Sequence, residues 1–254
     1  MNSTPETRVA LVTGSGKGVG AGVIRYFTSR GIRCCIHCNT NGAMAEDLLR
    51  EVREKGGDAF IFQGDVTDPK VRHDMVEAVI EKYGRLDILV NNAAMQPNKY
   101  IDEYDYASLK RLWEINIGGY TNMIREALPY LRKSPMGRII NMSSVHGKRP
   151  TCFDAGYAMT KGAIRMLTRE LALELIKDQI TVNAIDLGGC KIEFKTGHPD
   201  FHVVRAIDTF NPNMVRPKEI VPEEVGALCY YLASEEGSAV NGAGVRIDRG
   251  QMLT

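Results

Sequence analysis

Val9-Ala10-Leu11-Val12-Thr13-Gly14-Ser15-Gly16-Lys17-Gly18-Val19-Gly20 is the stretch that decides the fold. A four-residue apolar run enters a glycine-rich turn, and a helix-compatible segment at 21–30 follows. Glycines permit a tight turn and let a pyrophosphate approach backbone amides and the N-terminus of the next helix. Glycines serve ordinary turns as well. Their position straight after a first strand and before a helix favours a dinucleotide turn over that alternative. The candidate contacts here are Gly14, Ser15, Lys17, Gly18, Val19 and Gly20.

Outward from this turn, strand and helix patterns alternate along the chain. Strands are expected at 9–12, 33–38, 59–62, 86–90, 138–142, 181–185 and 244–247, most of them near-continuous apolar runs, as suits strands covered on both faces. Amphipathic helices are expected at 43–55, 71–83, 106–132 (one long helix with a bend), 155–177 and 222–234. The last opens Pro222-Glu223-Glu224, which suits a helix N-terminus. Such alternation predicts an α/β, doubly wound Rossmann fold: a parallel sheet of about seven strands with helices on both faces. No repeat, low-complexity tract or linker divides the chain, so residues 1–254 read as a single domain. The weakly periodic stretch 188–217 reads as a loop covering the substrate.

Bulk properties narrow the function classes. Lys and Arg number 32 and Asp and Glu 31, a formal net charge of +1, which calls for neither nucleic acid nor an anionic membrane as partner. No apolar run is long enough to span a bilayer, and no signal-peptide pattern opens the chain, so a cytoplasmic protein is expected. Cys35-Ile36-His37-Cys38 spells a CxxC inside a strand. Residues three apart on a strand face opposite ways, and no second ligand pair accompanies them, so no metal is expected.

Other segments suit a nucleotide. Asp65 and Val66 follow the third strand, where a carboxylate can accept from an adenine amino group, although a helix cap is an equal reading. Asn92 and Ala93 close the fourth strand, where small residues let the chain pass close to a cofactor. The second strand ends Cys38-Asn39-Thr40-Asn41, with no acid to bond a ribose diol and repel a 2′-phosphate. With Lys17 in the turn, this favours NADP(H), with NAD(H) possible; the alternative for Lys17 is a solvated loop lysine.

Tyr157 and Lys161 stand four apart, on one face of a helix. An acid is needed to protonate a carbonyl oxygen as hydride arrives. A nearby lysine cation is expected to lower a phenol that otherwise titrates near ~10. Ser143 and Ser144 end the fifth strand, at the sheet edge where such folds bind ligands; either is also a potential cap.

The order of these features resembles the short-chain dehydrogenase/reductase family, from Thr-Gly-x-x-x-Gly-x-Gly through Asp-Val and Asn-Asn-Ala to Tyr-x-x-x-Lys, across nearly the whole chain. The resemblance implies a nicotinamide-dependent oxidoreductase in which Tyr157 is the general acid/base. Lys161 tunes it and bonds the nicotinamide ribose. Ser144, thirteen residues before Tyr157, polarises the carbonyl, and Asn116 bends its helix and sustains a proton relay. Departures are Ala94 for the usual Gly, Leu187 for Pro before the retained Gly188, Ile192 where Thr is usual, and an Asp186 near the nicotinamide pocket. Lys191, Lys195, His198, His202 and Arg205 in the covering loop suit a small polar substrate or are simply solvated charge. The run Ile140–His146 is similar to short-chain glucose dehydrogenases and points to sugars or polyols. A 3-oxoacyl thioester reductase and a non-catalytic nicotinamide sensor are the alternatives. The resemblance also implies a homo-oligomer, a tetramer or a dimer.

Overall fold

The computed structural model describes residues 7–40, 42–150, 154–191 and 219–253. Ile192, Lys195, His198, His202 and Arg205 lie outside these residues, as do Asn41 and Cys152. Seven strands, β1 (Val9–Val12), β2 (Arg33–Cys38), β3 (Ala59–Gln63), β4 (Ile88–Asn91), β5 (Arg138–Ser144), β6 (Thr181–Leu187) and β7 (Gly244–Ile247), form one parallel sheet in the order β3-β2-β1-β4-β5-β6-β7. The order reverses direction between β1 and β4, which opens the crevice where doubly wound sheets bind ligands.

Helices α1 (Gly18–Ser29), α2 (Gly42–Glu54) and α7 (Pro222–Ala233) cover one face. Helices α3 (Pro69–Tyr83), α5 (Gly119–Leu131) and α6 (Ala155–Glu174) cover the other. Alternate residues of the same strand serve the two cores: Ala10 and Val12 enter the first, Val9 and Leu11 the second. Cys35 and Cys38 likewise divide between the faces, so the CxxC cannot converge on one ligand. Helix α1 crosses α7 closely; a Cβ on Gly22 would stand 2.3 Å from Pro222.

Local signals explain the boundaries. Asp68 accepts from the Lys70 amide and Pro69 opens α3, which stops at Gly84 with φ 74°. The expected long helix is α4 (Tyr106–Trp113), a π turn at Glu114–Gly118 and α5 in unbroken succession. Strands β5 and β6 run two residues beyond their apolar cores. The ladder continues through the pairs Ser143 with Asp186 and Ser144 with Leu187 and carries both serines to the sheet edge. Helix α1 starts three residues earlier than its pattern suggests, because glycine, a weak helix former, masks the first turn. Among the described residues no helix is long and apolar enough to cross a membrane.

Candidate active site

The glycine turn is built from the β4 side. Gly14 and Gly18 adopt φ 62° and 58°, and a Cβ on Gly14 would stand 2.8 Å from the Ala93 Cα. The Asn92 side-chain amide donates to the carbonyls of Thr13 and Gly14 at 2.9 and 3.0 Å, and the Thr13 hydroxyl accepts from the amides of Asn92 and Ala93. Asn92 and Ala93 thus shape the turn from behind. Lys17 is the N-cap of α1, no side chain caps the helix, and its first turn carries no acid. Uncapped amides at a helix N-terminus fit a pyrophosphate. A Cβ on Gly20 would collide with Ser15 and Asn92 at 2.6 and 2.7 Å, so the turn tolerates nothing larger. Ser15 departs from expectation: its hydroxyl is fully buried, donates to the Val12 carbonyl and accepts from the His37 amide, and its own amide donates to the His37 carbonyl at 2.7 Å, so Ser15 shapes the turn rather than facing a phosphate.

Beyond the turn, Asp65 is held rather than free. Its Oδ1 accepts from the Thr67 amide and hydroxyl at 2.9 and 2.8 Å, and its Oδ2 pairs with the Arg111 guanidinium on α4. Burial works against the charge, but the Thr67 and Arg111 bonds outweigh it and hold the carboxyl below the usual range. The cap of α3 is Asp68, not Asp65. The Val66 side chain belongs to the core beside Gly119. Asn39 is exposed at the end of β2, and its carbonyl accepts from Gln63.

At the edge of β5, Ser144 accepts from the His146 amide at 3.2 Å, donates to the Leu187 carbonyl at 3.4 Å and neighbours the Tyr157 phenol. Ser143 points elsewhere, donating to the Lys161 carbonyl. Beneath Tyr157, the Lys161 ammonium is buried, donates to the Met142 carbonyl at 2.8 Å and stands 5.4 and 5.5 Å from the rings of Tyr157 and Tyr120.

The expected direction of tuning is corrected here. Burial pushes the Tyr157 phenol up to about 12; the neighbouring Ser144 hydroxyl opposes this and the Asp154 charge adds to it. Burial also brings Lys161 down to about 7. Lys161 is not among the groups that move the phenol, whose shift is set first by lost water. The Asn116 side chain, in the π turn, bonds the Met95 backbone and the Thr160 hydroxyl rather than Lys161.

Asp154 is a site residue that the motifs do not announce. Its carboxylate caps α6 by accepting from the Tyr157 amide at 2.9 Å. It also accepts from the Tyr104 hydroxyl at 2.5 Å and the Asn98 amide at 2.8 Å. Asp154→Asn keeps the cap oxygen, removes the charge and leaves the Asn98 amide facing an NH2. The expected result is a stability loss of about 1–2 kcal/mol and an alkaline rise of alcohol oxidation that moves to lower pH, because a negative charge that raised the phenol is gone. Denaturant titration and a kcat/KM pH profile check both; an unmoved profile refutes the electrostatic part.

The profile described as short chain dehydrogenase matches residues 8–200. A D-beta-hydroxybutyrate dehydrogenase from Rhizobium meliloti (strain 1021) is 31% identical over 257 residues, covering 96% of this chain and 98% of that one. The chain belongs to the short-chain dehydrogenase family. Glucose 1-dehydrogenase 2 of Bacillus subtilis (strain 168) is 28% identical, covering 97% of this chain and 95% of its own. A solved short-chain dehydrogenase/reductase from Serratia marcescens BCRC 10948 superposes with a TM-score of 0.85 at 27% identity, over 98% of this chain and 99% of that one. This member of the family is an oxidoreductase of alcohol and carbonyl groups that works with a nicotinamide cofactor.

Asp186, a departure from the usual family motif, is held within the fold. It lies on β6 toward α6, buried, and pairs with Arg165. Strand alternation sends it to the opposite face from Leu187, whose carbonyl is the one near Ser144. Gly188 donates to the Ile247 carbonyl, and a Cβ there would stand 2.6 Å from Asp248, so its smallness serves packing against the chain's end.

Proposed function

We propose that this dehydrogenase interconverts a carbonyl and a secondary alcohol on a small polar substrate, a sugar or polyol by preference, with NADP(H). The observation that carries the enzymatic part is the convergence of the Ser144 hydroxyl and the Tyr157 phenol at the sheet edge, with Lys161 buried beneath the phenol. When bound, a reduced nicotinamide supplies the hydride. Tyr157, neutral at physiological pH, gives its proton to the carbonyl oxygen as that oxygen gains electrons. Ser144 donates a second hydrogen bond to the same oxygen. Lys161, buried beneath the phenol and lowered to about 7 by burial, would bond the nicotinamide ribose and hold a proton close to Tyr157. Gly14, Gly18, Val19 and Gly20 would hold the pyrophosphate, and Asp65 the adenine.

Support for NADP(H) comes from the end of β2, where Asn39 and Thr40 are exposed and neutral, from the acid-free first turn of α2, and from exposed Lys17. Glu46, in the second turn of α2, is the opposing charge, close enough to raise the Cys38 thiol. Support for a polar substrate comes from His146, edge-on to Tyr157 at 6.3 Å, with Asp154 and Tyr104 alongside. The resemblance of Ile140–His146 to glucose dehydrogenases selects sugars and polyols within that class. A homo-oligomer is part of the reading. Met159, Met166 and Leu173 form an exposed stripe of seven-residue spacing on α6, beside exposed Trp113 and Tyr106 of α4. Light scattering on the native protein is expected to give a mass above one chain; a monomer refutes this.

The deciding experiment follows nicotinamide absorbance with both cofactors over sugars, polyols, hydroxy acids and acyl thioesters. NADPH is expected to give a kcat/KM at least about tenfold above NADH, the size of one charge-assisted contact, on a polyhydroxylated substrate. A preference for NADH overturns the cofactor assignment. Turnover confined to thioesters overturns the substrate class, and cofactor binding without any turnover supports a sensor.

A further inference from the structure

His37 lies behind the glycine turn, in the framework of the candidate cofactor cleft, and is itself part of neither the motifs nor the catalytic trio. It sits near the end of β2, with 1% of its surface exposed. Its Nδ1 accepts from the Gly14 amide at 2.9 Å, and its Nε2 lies 2.9 Å from the Gly64 carbonyl. An amide N–H aimed at Nδ1 fixes the tautomer: Nδ1 carries the lone pair and Nε2–H donates to Gly64. The backbone of the same residue adds three bonds to the turn. Its carbonyl accepts from the amides of Ser15 and Gly16 at 2.7 and 3.3 Å, and its amide donates to the Ser15 hydroxyl.

Gly14 is the first glycine of the phosphate turn, and Gly64 immediately precedes Asp65. We propose that neutral His37 is a positioning residue for the dinucleotide, whose ring holds the phosphate turn and the Asp65 segment at a fixed separation. This rests on the assignment of the glycine turn to the cofactor. A protonated ring has two donors and no acceptor, so Nδ1–H would meet the Gly14 N–H inside the protein. The turn then has to open or the bond to Gly14 is lost.

The charged surroundings favour the neutral ring. Burial lowers the His37 pKa, while the Gly64 bond and the Asp65 charge pull the other way without overcoming it. Asp65 is itself paired with Arg111. From the glycine turn the titratable side chain is exposed Lys17, and on β2 the neighbours are the thiols Cys35 and Cys38, both raised and therefore neutral. The folded-state pKa is below the free value, so protonation sets in only as pH falls beneath the ordinary histidine range.

The test measures the Kd of NADPH by fluorescence between pH 5 and 8 for the wild type and for His37→Gln and His37→Leu. Gln offers an acceptor and a donor without titrating. At pH 8 it is expected to bind within about threefold of the wild type, whereas Leu binds about tenfold more weakly. As pH falls, the wild-type Kd is expected to rise relative to that of His37→Gln; comparing both on NADPH cancels titration of the ligand's own phosphate. Nitrogen NMR of the wild type labelled at histidine, with the His37 signals assigned by their loss in His37→Gln, is expected to show an unprotonated Nδ1 at pH 7. It needs no apolar variant to fold. A constant Kd ratio across the range, or a proton on Nδ1, overturns the inference alone. Failure of the wild type to bind NADPH or NADH overturns the cofactor reading and this inference with it.

Discussion

Tyr157→Phe is expected to lower kcat/KM by about 10³-fold, the middle of the range for removing a positioned general acid, while leaving the fold and cofactor affinity almost unchanged. Only one oxygen is removed. The ring keeps its edge contact with His146 at 6.3 Å and its place over the Lys161 nitrogen at 5.4 Å. The α6 cap is unaffected, because Asp154 binds the backbone amide of residue 157, not its phenol. What disappears is the proton donor to the nascent alkoxide; the Ser144 hydroxyl keeps its bonds to the Leu187 carbonyl and the His146 amide. The phenol's pKa of about 12 also sets the direction in which loss is felt first. Near pH 7 the group is protonated and ready for carbonyl reduction. Alcohol oxidation needs the phenolate, so in the wild type its rate is expected to climb with pH through the alkaline range. In Tyr157→Phe that climb is expected to vanish. Steady-state rates in both directions, alongside a thermal melt and an NADPH titration, check the claim. A loss of less than about tenfold with intact cofactor binding would remove Tyr157 from the role of acid.

The fold was open to reading because the central strands are covered on both faces and therefore spell apolar runs, while most helices carry a polar face. Those are local properties. The site was legible where chemistry depends on spacing along one element, as for Tyr157 and Lys161 on α6. It was not legible where a residue acts through partners far away in the chain. Asp154 meets Asn98 and Tyr104, 56 and 50 residues distant; Arg111 meets Asp65 across 46; His37 meets Gly14 and Gly64 across 23 and 27. A lone histidine in Cys34-Cys35-Ile36-His37-Cys38 looks like any buried ring until its two nitrogens are given partners. Tyr120 is similar: its place four residues after Asn116 puts it on the same helix face, but only the sheet shows that its hydroxyl and Lys161 share the Met142 carbonyl. The sign of the Tyr157 shift escaped for another reason. Spacing tells which groups are neighbours, whereas the pKa depends on how much water they have lost.

That loss of water leads to the second large effect: Lys161→Met is expected to inactivate the enzyme and to make it more stable. Lys161 is 2% exposed and is pulled down to about 7 by burial. The unfolded chain holds that proton to about 10.4, so between these values the unfolded state binds more protons than the folded one. Stability therefore rises with pH across this window, and below it the whole cost of burying the ammonium is felt. A depression of this size corresponds to on the order of 4 kcal/mol against the folded state near and below neutrality. Methionine has nearly the same length and no charge to desolvate. The variant forfeits the bond to the Met142 carbonyl, worth about 1–2 kcal/mol. That carbonyl is not orphaned, because the Tyr120 hydroxyl still donates to it at 3.1 Å. The net gain is about 2 kcal/mol, which in a chain of this length raises Tm by about 4 °C or more. The gain is expected to be largest at pH 6–7 and to shrink toward pH 10, where the unfolded lysine also sheds its proton. Activity should fall by about 10²–10⁴-fold, as for loss of an acid–base group, since the phenol loses its partner in proton exchange. Calorimetry of both proteins from pH 6 to 10 decides the matter. A Tm for Lys161→Met below the wild type at pH 7 would mean that the buried ammonium is held by interactions stronger than its single carbonyl contact, and that the lysine contributes to the fold as well as to the reaction.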